Sequence, residues 1–216
     1  GQINLTKGAI HLADAVTTVS ETYAREIQET DFGFGLQDIL KRNNGKLTGI
    51  LNGIDYQNWN PDTDPHTYGI HYSAGDRSGK YQIKTRLREQ YGLPDRQDVP
   101  LIGVISRLVE QKGIDLIAEC AEQMLQRDTQ LIVLGAGDTR YHDFFEWLRR
   151  SYPDRVGIYI GFNNDLAHRI EAGADIFFMP SLFEPCGLNQ IYSLKYGTLP
   201  IVRQTGGLAD TIQDGV

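Results

Sequence analysis

The sequence is short of most features that would place it quickly. Its 216 residues hold only two cysteines, Cys120 and Cys186, far apart and in unlike contexts, so a disulfide framework is not expected and a reducing compartment is. Positive charge is scarce too: 21 Lys and Arg stand against 28 Asp and Glu, a formal charge of −7. Nucleic-acid binding relies on clustered cations that release counterions, so no nucleic-acid partner is expected. No apolar run is long enough to cross a bilayer and no charged-then-apolar leader opens the chain, which argues against a membrane role. The histidines lack metal-ligand spacing and no cysteine or acidic cluster accompanies them, so neither a metal nor a cofactor is expected. A Gly-x-Gly-x-x-Gly turn with an acidic residue about twenty positions on is also missing, which argues against a dinucleotide-dependent dehydrogenase.

What is present is ordinary in amount and informative in order. Hydrophobic residues make up 40% and charged residues 23%, the usage of a globular α/β protein. From Val99 onward short apolar runs alternate with amphipathic stretches, which predicts βαβ units and a parallel sheet buried on both faces. The expected strands are Leu101–Ile105, Leu131–Leu134, Val156–Ile160, Asp175–Met179 and Leu199–Val202. Ile114, Ile117, Ala118, Ala121, Met124 and Leu125 recur at helical spacing; Phe144 to Leu148, Leu166 with Ile170, and Leu188 to Tyr192 mark three further helices. Strict alternation predicts a Rossmann-like, doubly wound sheet. Earlier, Ala15–Val19 reads as a strand, Ser20 as the N-cap of a helix through Ile27, Gly33-Phe34-Gly35 as a glycine-rich loop and Leu47–Leu51 as a strand. A domain junction is expected near Gly45, giving domains 1–45 and 46–216. Asp62 to Lys80 reads as a long surface loop, followed by a helix on Ile83, Leu87 and Tyr91. Gly1-Gln2-Ile3-Asn4 lacks an initiator Met and Ile212 to Val216 reads as a turn after a helix, so the chain is expected to be a fragment.

Ligands of open α/β sheets bind beyond the carboxyl ends of the strands. There the sequence places Ser106-Arg107 with Lys112-Gly113, then Gly135-Ala136-Gly137, then Gly161-Phe162, then Pro180 to Gly187, and Arg203 to Gly207. Arg107 and Lys112 suit a diphosphate whose charge grows as a sugar departs; equally they fit two exposed cations on a loop. Gly135 and Gly137 fit close backbone approach to a ligand or a tight turn. Phe162 fits a nucleobase platform or a core aromatic at a strand end. Gly206-Gly207 fits free backbone N–H groups for phosphate or plain turn chemistry. Glu184 fits contact with sugar hydroxyls or a carboxylate favoured at a helix N-terminus. Cys186 reads as positional and Cys120 as core. His168 and Arg169 fit a ligand contact, with an exposed helical pair the better reading.

Taken together these strings resemble the starch and glycogen synthases, retaining glycosyltransferases of the GT-B architecture. The resemblance rests on Lys7-Gly8, Ala13 to Ser20, Tyr23 to Ile27, Leu51 to Asp55, Ser106-Arg107-Leu108 with Gln111-Lys112-Gly113, and His168-Arg169-Ile170. It rests also on Phe183-Glu184-Pro185-Cys186-Gly187-Leu188, Tyr196 to Pro200 and Thr205 to Asp210, so it covers nearly the whole chain. It implies transfer of glucose from ADP-glucose or UDP-glucose, with retention, to the non-reducing end of an α-1,4-glucan. Arg107 and Lys112 would hold the diphosphate and Glu184 the transferred glucose, while Phe162 would take the adenine-stacking position, usually tyrosine. Cys186, Gly187, Leu188, Asn189, Gly135, Gly137, Thr205, Gly206 and His168 complete the implied substrate site. Asn189 stands where the family more often has threonine, which removes a hydroxyl from that place.

The family's Lys-x-Gly-Gly loop is not in this sequence. Residues 1–45 would be the tail of the acceptor-side domain, and the missing N-terminal domain of the same enzyme a partner. The fragment alone would turn over little or not at all. Bacterial cytoplasm or plant plastid stroma is the implied location. A nucleotide-sugar-binding module without catalysis, and another retaining GT-B transferase of the sucrose or trehalose type, are the rival readings.

Overall fold

The computed structural model describes residues 4–215; Gly1 to Ile3 and Val216, the outer limits of the expected domains and the ends read as truncated, lie outside them. The chain divides into two compact units. One takes the chain through Gly53 together with Phe183–Leu188 and the segment from Arg203 on; the other takes Ile54–Leu182 and Asn189–Val202. The division thus follows Gly53, somewhat beyond Gly45.

The first unit holds helices α1 (Leu5–Leu12), α2 (Glu21–Glu26), α3 (Thr30–Gly33) and α4 (Gln37–Arg42), with α10 (Gly206–Thr211) and two short parallel strands, β1 (Val16–Thr18) and β2 (Leu47–Gly49). Ser20 is fully buried and its hydroxyl accepts from the Tyr23 N–H at 2.8 Å, which satisfies one of the donors a helix start leaves over. Helix α10 is fastened to α2 by Asp210, whose carboxylate accepts from the Thr22 N–H at 2.9 Å and from its hydroxyl. Gly33 closes α3 rather than opening a loop, and Phe34 after it takes a left-handed φ of 48°.

The second unit is the doubly wound sheet. After α5 (Ser78–Tyr91) come β3 (Leu101–Leu108), α6 (Ile114–Gln126), β4 (Gln130–Gly137), α7 (Thr139–Ser151), β5 (Val156–Ile160), α8 (Asn164–Gly173), β6 (Ile176–Met179), α9 (Asn189–Lys195) and β7 (Leu199–Val202). The five strands are all parallel, in the order β5-β4-β3-β6-β7. Alternation along β4 decides the layering. Leu131 and Val133 pack with Ile117, Leu125, Phe145 and Leu148 of α6 and α7, whereas Ile132 and Leu134 pack with Ile83, Leu87, Leu166 and Ile170 of α5 and α8. Both faces are therefore covered, as a parallel sheet requires.

Two strands run further than their apolar residues do. Ser106, Arg107 and Leu108 pair with Gly135, Ala136 and Gly137, so the ladder continues through residues that hydropathy reads as loop. The stretch from Asp62 to Lys80 departs most from expectation. Asp64 and Thr67 are wholly buried and Tyr72 and Lys80 nearly so. Asp64 accepts from His168 Nδ1 at 2.8 Å and from the Tyr196 hydroxyl, and the Trp59 ring is stacked between His168 at 3.7 Å and Tyr192 at 3.9 Å. Polar composition reads as surface, but a polar segment is buried readily when each group finds a partner.

Candidate functional site

The chain runs β3, β4, β5 outward to one edge and then returns to lay β6 on the other side of β3. The carboxyl ends of β3 and β6 therefore flank the reversal, where an open sheet leaves a crevice for ligands. Arg107 is exposed near the end of β3 and its Nη2 donates to Gln111 Oε1 at 2.9 Å. Lys112 ends the single 3-10 turn Glu110–Lys112, and Gly113 then starts α6 with φ 69°. Glycine is needed there twice over, since a Cβ would also lie 2.1 Å from the Pro180 carbonyl oxygen. The Leu182 N–H donates to the Gln111 carbonyl at 2.8 Å, and Asn189 Nδ2 to the Ile105 carbonyl at 3.2 Å. The loop bearing Arg107 and Lys112 is thus tied to Pro180–Leu182.

Phe162 follows β5 and Gly161, whose φ is 146°, and 90% of its surface is exposed. A core aromatic it is not. The ring stands bare at the carboxyl edge of the sheet, where an aromatic face offers a stacking platform. Gly135 and Gly137 have a different explanation: a Cβ at either would lie about 2 Å from the carbonyl of Ser106 or Leu108, so close strand packing accounts for both. The Gly137 N–H also meets His142 Nε2 at 2.9 Å. His168, read from sequence as half of an exposed pair, is buried against Trp59 and Asp64 because the Asp62–Lys80 segment covers it. Arg169 is drawn in with it, donating to the His66 carbonyl at 2.9 Å.

The remaining expected residues sit in the first unit. Glu184 and Cys186 are buried, Leu188 is partly exposed and Gly187 has φ 71°. They lie in a loop ahead of α9, not at its start. The Glu184 carbonyl accepts from the Gly207 N–H at 3.0 Å, and a Cβ on Gly206 or Gly207 would strike the carbonyls of Glu184 and Cys186. Glu26 accepts from the Thr205 hydroxyl at 3.0 Å and the Gly206 N–H at 2.9 Å. The amides of Gly206 and Gly207 are therefore engaged within the protein, contrary to the reading of free N–H groups. Nothing local announces Glu26, which lies some 180 positions away in sequence. Gln111 was recoverable only as the neighbour of Lys112. Among the described residues no group of three His, Cys, Asp or Glu is placed to hold a metal, and no helix is long and apolar enough to cross a membrane.

The profile of the family described as "Glycosyl transferases group 1" matches residues 84–216, well over half of the sequence. The chain belongs to the group 1 glycosyl transferases. A second profile, "Starch synthase catalytic domain", matches residues 1–42 of this glycosyl transferase chain. The chain is 53% identical over 213 residues to "Glycogen synthase 1" of Geobacter sulfurreducens, covering 99% of itself and 42% of that protein. It is 48% identical to "Glycogen synthase" of Bacillus cereus, with 99% and 44% covered. The structure of the "Catalytic domain of Starch Synthase IV from Arabidopsis thaliana bound to ADP and acarbose" superposes with a TM-score of 0.93 at 40% identity, covering 99% of this chain and 44% of that one. This glycosyl transferase chain therefore spans less than half the length of the relatives it matches.

Proposed function

We propose that this chain supplies the nucleotide-sugar-binding half of a starch or glycogen synthase, transferring glucose from ADP-glucose, or UDP-glucose, with retention to the non-reducing end of an α-1,4-glucan. The observation that carries the reading is the position of Arg107 and Lys112 on one short loop at the β3–β6 reversal, tied to Pro180–Leu182. When the bond from glucose C1 to the diphosphate oxygen breaks, the electron pair stays on that oxygen. Two held cations stabilise it there most, where charge develops, and no metal is needed in this reading. Phe162 is read as the adenine platform; its bare ring supports that role. Glu184 is assigned to the transferred glucose by resemblance, and the relatives named above support a glucan acceptor. A bacterial cytoplasm or a plant plastid stroma fits the organisms of those relatives.

Titration with ADP, UDP and ADP-glucose tests the assignment. Arg107→Ala and Lys112→Ala are each expected to weaken ADP binding about tenfold or more, the loss of one charge-assisted hydrogen bond. Phe162→Ala should weaken ADP by about fivefold or more while Phe162→Tyr retains it, because stacking on a base contributes about 1–3 kcal/mol. If neither Arg107→Ala nor Lys112→Ala changes ADP affinity, the site is misplaced.

A further inference from the structure

A groove of about 920 Å³ runs along the flank of the second unit, between Tyr68 and Ile70 on one side and α5 on the other. It shares no residue with the carboxyl-edge set. Gln82, Arg86, Glu89 and Gln90 line it from α5, at intervals of three, four, seven and eight that put them on one helical face. Three properties select its ligand. The first is charge: Arg86 Nη1 and Glu89 Oε2 are 3.1 Å apart and neutralise each other, and the other polar groups are amides and hydroxyls, so neither an anion nor a cation is favoured. The second is character, because one aromatic ring and one aliphatic side chain set among polar groups suit a ligand with both C–H faces and hydroxyls.

The third property is rigidity. Tyr68 holds a left-handed φ of 58°, a conformation that a bulky side chain adopts only when its surroundings impose it. The Arg169 guanidinium lies 4.3 Å from the centre of the ring, and the Tyr68 hydroxyl donates to Gln90 Oε1 at 2.6 Å. A ring backed on one face by Arg169 and tethered at its hydroxyl loses little further freedom when a ligand arrives. We propose that this groove binds a chain of neutral α-glucan, at a place separate from the donor-binding edge. The identity of the ligand rests on the reading of the protein as a glucan-extending transferase. Holding one chain of a branched polymer here raises the effective concentration of its other ends at the reacting edge.

The test measures glycogen and ADP affinities in parallel, by affinity electrophoresis and calorimetry, on the protein and its variants. Gln82→Trp, at an exposed helical position, fills the groove without touching the core; Tyr68→Ala removes the ring, and Tyr68→Phe keeps it. The first two variants are expected to weaken glycogen binding by about fivefold or more and Tyr68→Phe, which keeps the ring but loses its tether to Gln90, by less, with ADP affinity near the parent in all three. Glycogen affinity within about twofold of the parent in folded Gln82→Trp overturns the proposal. A parent that binds ADP but not glycogen also overturns it and spares the donor site. A parent that binds glycogen through the groove but not ADP upholds the groove and removes the donor reading.

Discussion

Glu171 is wholly buried between α8 and α9, where its Oε2 accepts from the Ser193 hydroxyl at 2.7 Å and its Oε1 has no partner. Burial pushes its carboxyl up to about 8, against the Ser193 hydroxyl and the charge of Lys80, which both pull it down. Between the ordinary value of about 4.5 and about 8 the folded chain keeps a proton that the unfolded chain has released. Stability therefore falls as pH rises through that window, by up to about 1.4 kcal/mol per pH unit. Lys80 acts in the opposite sense and higher: burial lowers it to about 8, so its contribution grows only above that pH. Glu171→Gln keeps the shape and removes the titration. Urea midpoints at pH 5, 6.5 and 8 should fall steadily in the parent and stay nearly level in the variant; equal slopes would show that Glu171 is ionised throughout.

At the scale of elements, the segment ahead of α5 is held by one carboxylate. Asp64 accepts from His168 on α8 and from Tyr196 just beyond α9, and the His66 N–H reaches its other oxygen at 2.8 Å. Burial acts to raise its pKa, but these three donors outweigh it and hold the carboxyl below its usual range. Asp64→Ala strands the buried His168 and Tyr196 groups, at a cost of about 1–3 kcal/mol for each group left unpaired, to be read from urea unfolding; a loss below about 1 kcal/mol in all would mean that Trp59 stacking alone holds the segment. This clamp was illegible in the sequence because Asp64 lies about 100 residues or more from His168 and Tyr196. The sheet was legible, since its strands are apolar runs and its helices carry periodic faces. Strand ends were not, as the ladder of 106–108 with 135–137 depends on backbone pairing rather than hydropathy. Arg107, Lys112 and Phe162 could be placed because strand ends predict a rim, whereas Glu26 and the covering of His168 arise only from tertiary contact.

For the molecule as a whole, the charge of −7 opposes an anionic nucleotide whereas the proposed site has Arg107 and Lys112 attract it, and ionic strength separates the two effects. The net charge is spread over the chain and acts across distances longer than the Debye length, about 8 Å at physiological salt. At that salt it is already largely screened. In the proposed site the two loop cations would act at contact distance, where roughly 4 Å of separation leaves an appreciable Coulomb term that added salt still weakens. If contact dominates, ADP affinity should fall a few-fold as salt is raised from about 0.05 to about 0.5 M. Lys112→Ala should flatten that dependence as well as weaken binding, because one of the two charges responsible for it is gone. Calorimetric titrations across the salt series on both proteins give the answer. A rise in parent affinity with salt would mean that repulsion from the whole chain outweighs the pair, and that these two cations do not grip the diphosphate.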